Sequence, residues 1–163
     1  MAFSMEIAHK AVFFALYFLL FIATVVFIER LLYFLFAFPS EKKLLLKETE
    51  GLKETEVETY YHTFVSKLTR GKGVLSFTIT ASPLLGLLGT VLGIMESFVT
   101  MAEKGVSDIV EVSKGIGLAL EATALGIFVA VITLIYYYYL NGKVEKAKTE
   151  IKVLILKNLK SRE

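Results

Sequence analysis

The chain has 163 residues, 55% of them hydrophobic, a mean hydropathy of +0.64 and a net charge of +2 from 18 basic and 16 acidic side chains. That length fits one compact unit, and a water-soluble unit of this size could not hide so much apolar surface; because the apolar residues fall in long runs, lipid is the solvent. The absence of cysteine excludes disulfides, thiol catalysis and thiolate metal sites, and His9 and His62 stand alone, with no second histidine at ligand spacing, and read as ordinary interfacial or surface residues.

The first predicted membrane helix covers about residues 11–38. Ala11 to Ile28 is apolar apart from Thr24, Glu29-Arg30 follows, and Leu31 to Phe38 completes the run, which exceeds the roughly 20 residues a crossing needs. The Glu29-Arg30 pair is expected near one membrane face with Arg30 snorkelling to water. Pro39-Ser40 is expected to stop the helix. No small-residue cleavage site follows the apolar stretch, so it reads as a retained helix and not as a signal peptide, at the start of a short chain without an outer N-terminal extension.

A loop over about 39–73 comes next. In it Val57, Tyr60, Tyr61, Phe64, Val65 and Leu68 recur at three- and four-residue spacing, the period of an amphipathic helix. Gly71-Lys72-Gly73 is a break. The second membrane helix, about 74–101, differs in character from the first: it carries Ser76, Thr78, Thr80, Ser82, Thr90 and three glycines, with Pro83 in its first half. Small and hydroxylated residues at this density mark a helix packed on helices rather than on lipid. A short outer loop, about 102–111, leads to the third membrane helix, about 112–140. Its first part is rich in glycine and alanine, and Tyr136 to Tyr139 near its end form an interfacial aromatic belt. In the tail, 141–163, Val144, Ala147, Ile151, Leu154 and Ile155 again keep helical spacing. The loop and tail helices either pack on each other or a neighbouring subunit, or lie on the lipid surface. Seven Lys and Arg residues fall between Lys42 and Lys72 and seven between Lys143 and Arg162, fourteen of the 18. With three spans both segments lie on one side, which the positive-inside rule makes cytoplasmic; the N-terminus is then outside and the C-terminus inside.

The densest stretch is Pro83 to Phe98, PLLGLLGTVLGIMESF. On a helix Gly86, Gly89, Thr90, Gly93 and Ser97 share a stripe, and Gly89 with Gly93 makes a GxxxG pair that lets backbones approach closely. Thr90 lies near mid-span, where its hydroxyl needs a partner; either its own i−4 carbonyl serves, or it lines a polar path. The third helix repeats the theme with Ala119, Ala122, Gly126, Ala130 and Thr133, and Thr123 beside them. Glu121 falls within that span. A carboxylate there costs around 3 kcal/mol on insertion scales, so it faces protein or water, or is protonated, or reaches the interface. Glu96 lies near the outer end of the second helix and reads as interfacial.

The stretch from Pro83 to Phe98, and the stretch Gly115 to Gly126 (GIGLALEATALG, ending in ATAxG), resemble the signatures of the ExbB/TolQ proteins, of which the flagellar stator protein MotA is a distant relative. The order of helix, loop, GLLGTVxG helix, short outer loop and ATAxG helix agrees over essentially the whole chain. The resemblance implies an all-α integral membrane protein of the bacterial cytoplasmic membrane, a single domain over 1–163, with long helices extending into the cytoplasm. It implies a homopentamer around a central pore lined by the second and third helices. A dimer of a single-span partner, ExbD or TolR, would occupy that pore, its membrane aspartate carrying the proton. Thr90 and Thr123 match the family's threonine rings and, with Glu121, form the implied proton pathway. Gly86, Gly89, Gly93, Gly115, Ala122, Gly126 and Ala130 are the implied packing and oligomer contacts. Proton flow would turn the pentamer about the partner, which acts through a TonB- or TolA-like protein on outer-membrane transport or envelope maintenance. Protons are the coupling ion; no other cofactor, metal or nucleic acid is implied, and membrane lipid, including a bound phospholipid, is.

The chain departs from the family pattern. The usual third-helix glutamate position is Leu118 here, and Glu121 lies about 60° from it and about 160° from Thr123 on a helical wheel. Ile132 stands where the family often has proline. Rival readings are a TolQ-like envelope-maintenance subunit and a passive membrane scaffold whose glycines serve only oligomerisation. A flagellar stator has a fourth span and a larger loop, which this chain lacks. An enzyme is disfavoured, since no nucleophile, base or metal cluster sits in the polar segments.

Overall fold

The computed structural model describes residues 2–48, 54–104 and 109–160. These form helix α1 (Ala2–Leu32), a π-helical segment (Tyr33–Ala37), α2 (Phe38–Glu48), α3 (Glu54–Thr69), α4 (Lys72–Lys104) and α5 (Ile109–Lys160). Three helical stretches, within Ile7–Leu45, Glu56–Glu103 and Val112–Lys157, are long and apolar enough to cross a membrane. The protein is an all-α integral membrane protein with three membrane helices.

The chain divides into two compact units. The first comprises Met1–Thr24 with Val74–Ile135, and the second Val25–Gly73 with Tyr136–Glu163. In the first unit α1 turns Val12, Leu16 and Ala23 inward, at spacings that keep one face of the helix on α4 and α5. The buried face of α4 is Leu75, Thr78, Ser82, Gly86, Gly89, Gly93 and Ser97, and that of α5 is Ala119, Ala122, Gly126, Val129 and Thr133. Val129, not Ala130, is the buried residue of its turn; Ala130 is only half-buried. The hydroxyls on these faces return to their own helices. Thr78 donates to the carbonyl of Val74, Ser82 to that of Thr78, Ser97 to that of Gly93 and Thr133 to that of Val129, at 2.7 to 3.0 Å. A buried hydroxyl is thereby satisfied without a partner helix. The outward faces carry Phe14, Phe18, Phe21, Leu84, Leu87, Leu88, Ile127 and Phe128, all exposed on the single chain, as a lipid-facing or subunit-facing surface requires.

The second unit has a core of larger side chains: Leu45 from α2, Val57, Phe64 and Leu68 from α3, and Val144, Ala147, Ile151 and Ile155 from α5, with Tyr61 and Phe38 packed against it. The helical faces read from the loop and tail spacing thus meet each other. Lys42 and Glu150 form an ion pair at 2.5 Å between α2 and α5. Phe27 stacks on Tyr136 with ring centroids 4.2 Å apart, so part of the tyrosine run packs within the protein, while Tyr138 stays exposed.

Two expectations fail in this unit. Pro39 does not end the helix, which continues from Ala2 to Glu48. Pro39 stands at the second residue of α2, directly after the π segment, where the Phe38 N–H bonds the Tyr33 carbonyl five residues back. The widened turn shifts the hydrogen-bond register just before the proline, so the chain stays helical past a residue that has no donor and that would clash in an unbroken α ladder. Arg30 does not snorkel: its side chain is buried, and Nη1 donates to the Lys67 carbonyl at 3.2 Å while Nη2 pairs with Glu29 at 2.6 Å. The Arg70 N–H meets the same carbonyl at 3.3 Å. Helix C-termini leave carbonyls unmet, and here a buried guanidinium and a turn amide serve one of them. Gly71 follows with φ +85°, a left-handed conformation that glycine adopts at no steric cost.

Candidate functional site

The site lies in the first unit, where α4 and α5 approach most closely. Gly86 and Gly126 set that distance. A Cβ on Gly86 would stand 2.8 Å from the Ala122 carbonyl oxygen and 3.0 Å from the Thr123 Cα, and one on Gly126 would stand 2.5 Å from the Ser82 carbonyl oxygen and 3.0 Å from the Gly86 Cα. These are backbone atoms, which have no side-chain freedom with which to yield, so only glycine permits this contact. Gly89 and Gly93 serve the same chain's other helices. A Cβ on Gly89 would stand 2.6 Å from the Ala122 Cβ and 3.1 Å from Val12, and one on Gly93 2.7 Å from the Ala119 Cβ and 3.2 Å from the His9 ring. The GxxxG pair therefore closes a subunit internally. Gly115 lies against the Ser97 hydroxyl.

That approach brings Thr90 and Thr123 together, both half-buried, with their hydroxyls in mutual hydrogen-bond contact. Thr90 Oγ1 also lies 3.2 Å from the carbonyls of Gly86 and Ala119, and Thr123 Oγ1 lies 3.0 Å from that of Gly86. Each hydroxyl has a single proton to donate. If Thr123 donates to Gly86, Thr90 donates to Thr123 or to Ala119. If Thr90 donates to Gly86, Thr123 donates to Thr90. The pair thus has at least three hydrogen arrangements on one set of heavy atoms. Each leaves lone pairs able to receive a further bond.

Glu121 is not part of this seam. It lies on the exposed side of α5, off the face formed by Ala119, Ala122 and Gly126. Among the described residues no three His, Asp or Glu side chains gather closely enough to hold a metal ion. His9 is the residue whose environment sequence reasoning missed. Its Nε2 is buried and finds no hydrogen-bond partner among the described residues, and its ring stacks on Phe13 with centroids 5.2 Å apart. The signal was present in the spacing, since positions 9, 12, 16 and 23 share the packed face of α1.

A model of the MotA/TolQ/ExbB proton channel family matches residues 39–153. The chain is similar to biopolymer transport protein ExbB of Aquifex aeolicus, 37% identical over 98 residues, 59% of this chain and 66% of that protein. It is 40% identical to the ExbB of Helicobacter pylori over 87 residues, 53% of this chain and 60% of that one. It is 35% identical to the ExbB of Salmonella typhimurium over 94 residues, 56% of this chain and 38% of that one. Each match thus spans less than two thirds of the relative's length.

Proposed function

The chain belongs to the MotA/TolQ/ExbB proton channel family, and on that premise we propose that it is the pore-forming subunit of a proton-driven motor of the ExbB–ExbD type. In this reading it sits in a bacterial cytoplasmic membrane with its N-terminus outside and its C-terminus inside. It assembles as a pentamer and surrounds a dimer of a single-span partner. That partner, through a TonB-like protein, delivers the energy to outer-membrane transport. Moving one charge through 100 mV releases about 2.3 kcal/mol, the quantum available per proton.

The observation that carries this reading is the Thr90–Thr123 hydroxyl pair. A passive scaffold needs the glycine contacts but has no need of two hydroxyls meeting in the seam. A partner carboxyl group changes between acceptor-only and donor as it gains a proton. A hydroxyl pair with more than one hydrogen arrangement can bond it in either state. Glu121, on the exposed side of α5, would serve as a second polar station only if the assembled pore turns that side inward. The names of the similar proteins favour the ExbB role over a TolQ-like one.

The test is proton flux in liposomes carrying the protein together with its single-span partner. Potential-driven flux that the Thr90→Val and Thr123→Val variants abolish, in assemblies of unchanged mass by native mass spectrometry, supports the channel. Equal flux from parent and variants removes the threonines from the pathway. An assembly that excludes the partner and carries no flux leaves the scaffold reading.

A further inference from the structure

In the first unit, at the end where α4 finishes and α5 begins, a cleft of about 410 Å³ opens between α1, α4 and α5. Its lining is His9, Lys10, Phe13, Gly93, Glu96, Gly115 and Leu118. Three of these seven residues are ionisable, in a unit whose packed faces are otherwise small, apolar or hydroxylated. The space has room for several waters and has polar groups to hold them, the two conditions for a hydrated cavity. Beside it the His9 Nε2 is buried with no hydrogen-bond partner among the described residues. An imidazole nitrogen in that position carries a desolvation cost. A small ring movement toward the cleft relieves that cost, because the ring already touches the open space. The Gly93 position bears on that movement, since a Cβ there would stand 3.2 Å from the His9 Cε1. Gly93 lies three residues along α4 from Thr90, about 4.5 Å of helix rise.

We propose that this cleft is a water-filled proton vestibule leading toward the threonine pair, with His9 as the group that binds the proton and Glu96 as its counter-charge. The charged groups that line the cleft with His9 are Lys10 on α1 and Glu96 on α4; α1 also presents Phe13, and α5 presents Gly115 and Leu118. Histidine is the side chain whose ordinary titration range falls near neutral pH, so it can take up and release a proton under the conditions in which a proton-driven protein works. The assignment gives α1 a part in the proton path, in addition to its role as a packing helix.

The inference rests on the channel reading, and its test is chosen to be independent of flux. The chain has no cysteine, so a single introduced thiol reports without background. In native membranes a hydrophilic thiosulfonate is expected to modify the Leu118→Cys variant, and the Lys10→Cys variant at the rim, at least tenfold faster than Phe14→Cys on the exposed outer side of α1. The rate ratio of a sulfonate-bearing to an ammonium-bearing thiosulfonate then reads the local charge, with the thiolate fraction cancelled. That ratio should rise severalfold as pH falls through the imidazole range, and should be flat when Leu118→Cys is combined with His9→Gln or with His9→Asn. Labelling of Leu118→Cys and Lys10→Cys no faster than Phe14→Cys would show a dry cleft and overturn the proposal. A pH-dependent ratio that survives both His9 replacements would overturn the role of His9. A hydrated, titrating cleft in a protein that carries no flux would count against the channel reading alone, and a dry cleft in an active channel against the vestibule alone.

Discussion

The α4–α5 seam of the first unit and the α2–α3–α5 core of the second are both built on three- and four-residue spacing, but from opposite materials. The seam meets through Ser82, Gly86, Gly126, Ala122 and Ala119; the core through Leu45, Phe64, Leu68, Ile151 and Ile155. One helix, α5, contributes to both, and where it meets the seam its buried residues are Ala119, Ala122 and Gly126, whereas in the core they are Val144, Ala147, Ile151 and Ile155. In lipid the removal of apolar surface from water drives nothing, so helices gain by bringing backbones close and multiplying dispersion contacts. In water the burial of bulky apolar groups is the main gain, roughly 25 cal/mol per Å². A seam of small residues tolerates side-chain loss far better than addition, whereas a bulky core is strongly destabilised by loss. The change of material along α5 is what a helix passing from lipid into water requires.

That contrast is broken most sharply by adding volume to the seam. Gly126→Leu places carbon where the Ser82 carbonyl and the Gly86 backbone stand, and since neither can turn aside the cost should reach or exceed the upper end of overpacking, about 3 kcal/mol. The expected outcome is loss of the folded subunit in size-exclusion chromatography of detergent extracts, before any question of oligomer assembly. Gly117→Leu is the control: a Cβ at Gly117 meets nothing within 4 Å among the described residues, and the subunit should elute normally. If both variants behave alike, glycine content and not close approach explains the seam.

Next in size is removal of volume from the core. Leu68→Ala and Ile151→Ala delete buried branched side chains and should each cost about 2–5 kcal/mol, read as a fall in thermal midpoint. The mirror experiment in the seam, Ala122→Gly, should cost well under half of that. A smaller effect is expected at Arg30. Arg30→Met keeps much of the buried stem and loses the bond to the Lys67 carbonyl, so about 1.5–3 kcal/mol should be lost, the range for a hydrogen bond to a charged group. The loss should appear as faster proteolysis at the α3–α4 junction. An unchanged digestion pattern would mean that the Arg70 amide and Gly71 terminate α3 unaided.

Much of this was legible in the chain because it depends on short-range pattern. Long apolar runs marked the three spans, Gly71 marked the end of α3, and the spacing of Val57, Phe64 and Leu68 and of Val144, Ala147 and Ile151 named faces that the structure buries. The threonines were legible as residue types and through family resemblance. That their hydroxyls meet depends on the register of α4 against α5, which is set by how closely Gly86 and Gly126 let the backbones come. What escaped were features fixed by partners distant in sequence. Arg30 is buried because a carbonyl 37 residues away receives it. Pro39 is tolerated because a π segment shifts the ladder just before it. His9, a lone imidazole in sequence, packs beside Gly93 and the Glu96 cleft only once three helices are assembled.

The smallest stability effect is expected at the residues proposed to line the proton path, and this is the finest test of the seam. Thr90→Val keeps the shape of the side chain and removes the hydroxyl. Hydrogen bonds between membrane helices average about 0.6 kcal/mol in double-mutant cycles, and the Thr123 hydroxyl left behind still has the Gly86 carbonyl at 3.0 Å. The thermal midpoint should therefore move far less than in Leu68→Ala, while proton flux with the single-span partner should be lost. Thr90→Ser keeps the hydroxyl and should retain flux at similar stability. If Thr90→Val instead destabilises the subunit as much as a core truncation, the pair is a structural clasp. Then the seam and the core would differ in side-chain size but not in purpose.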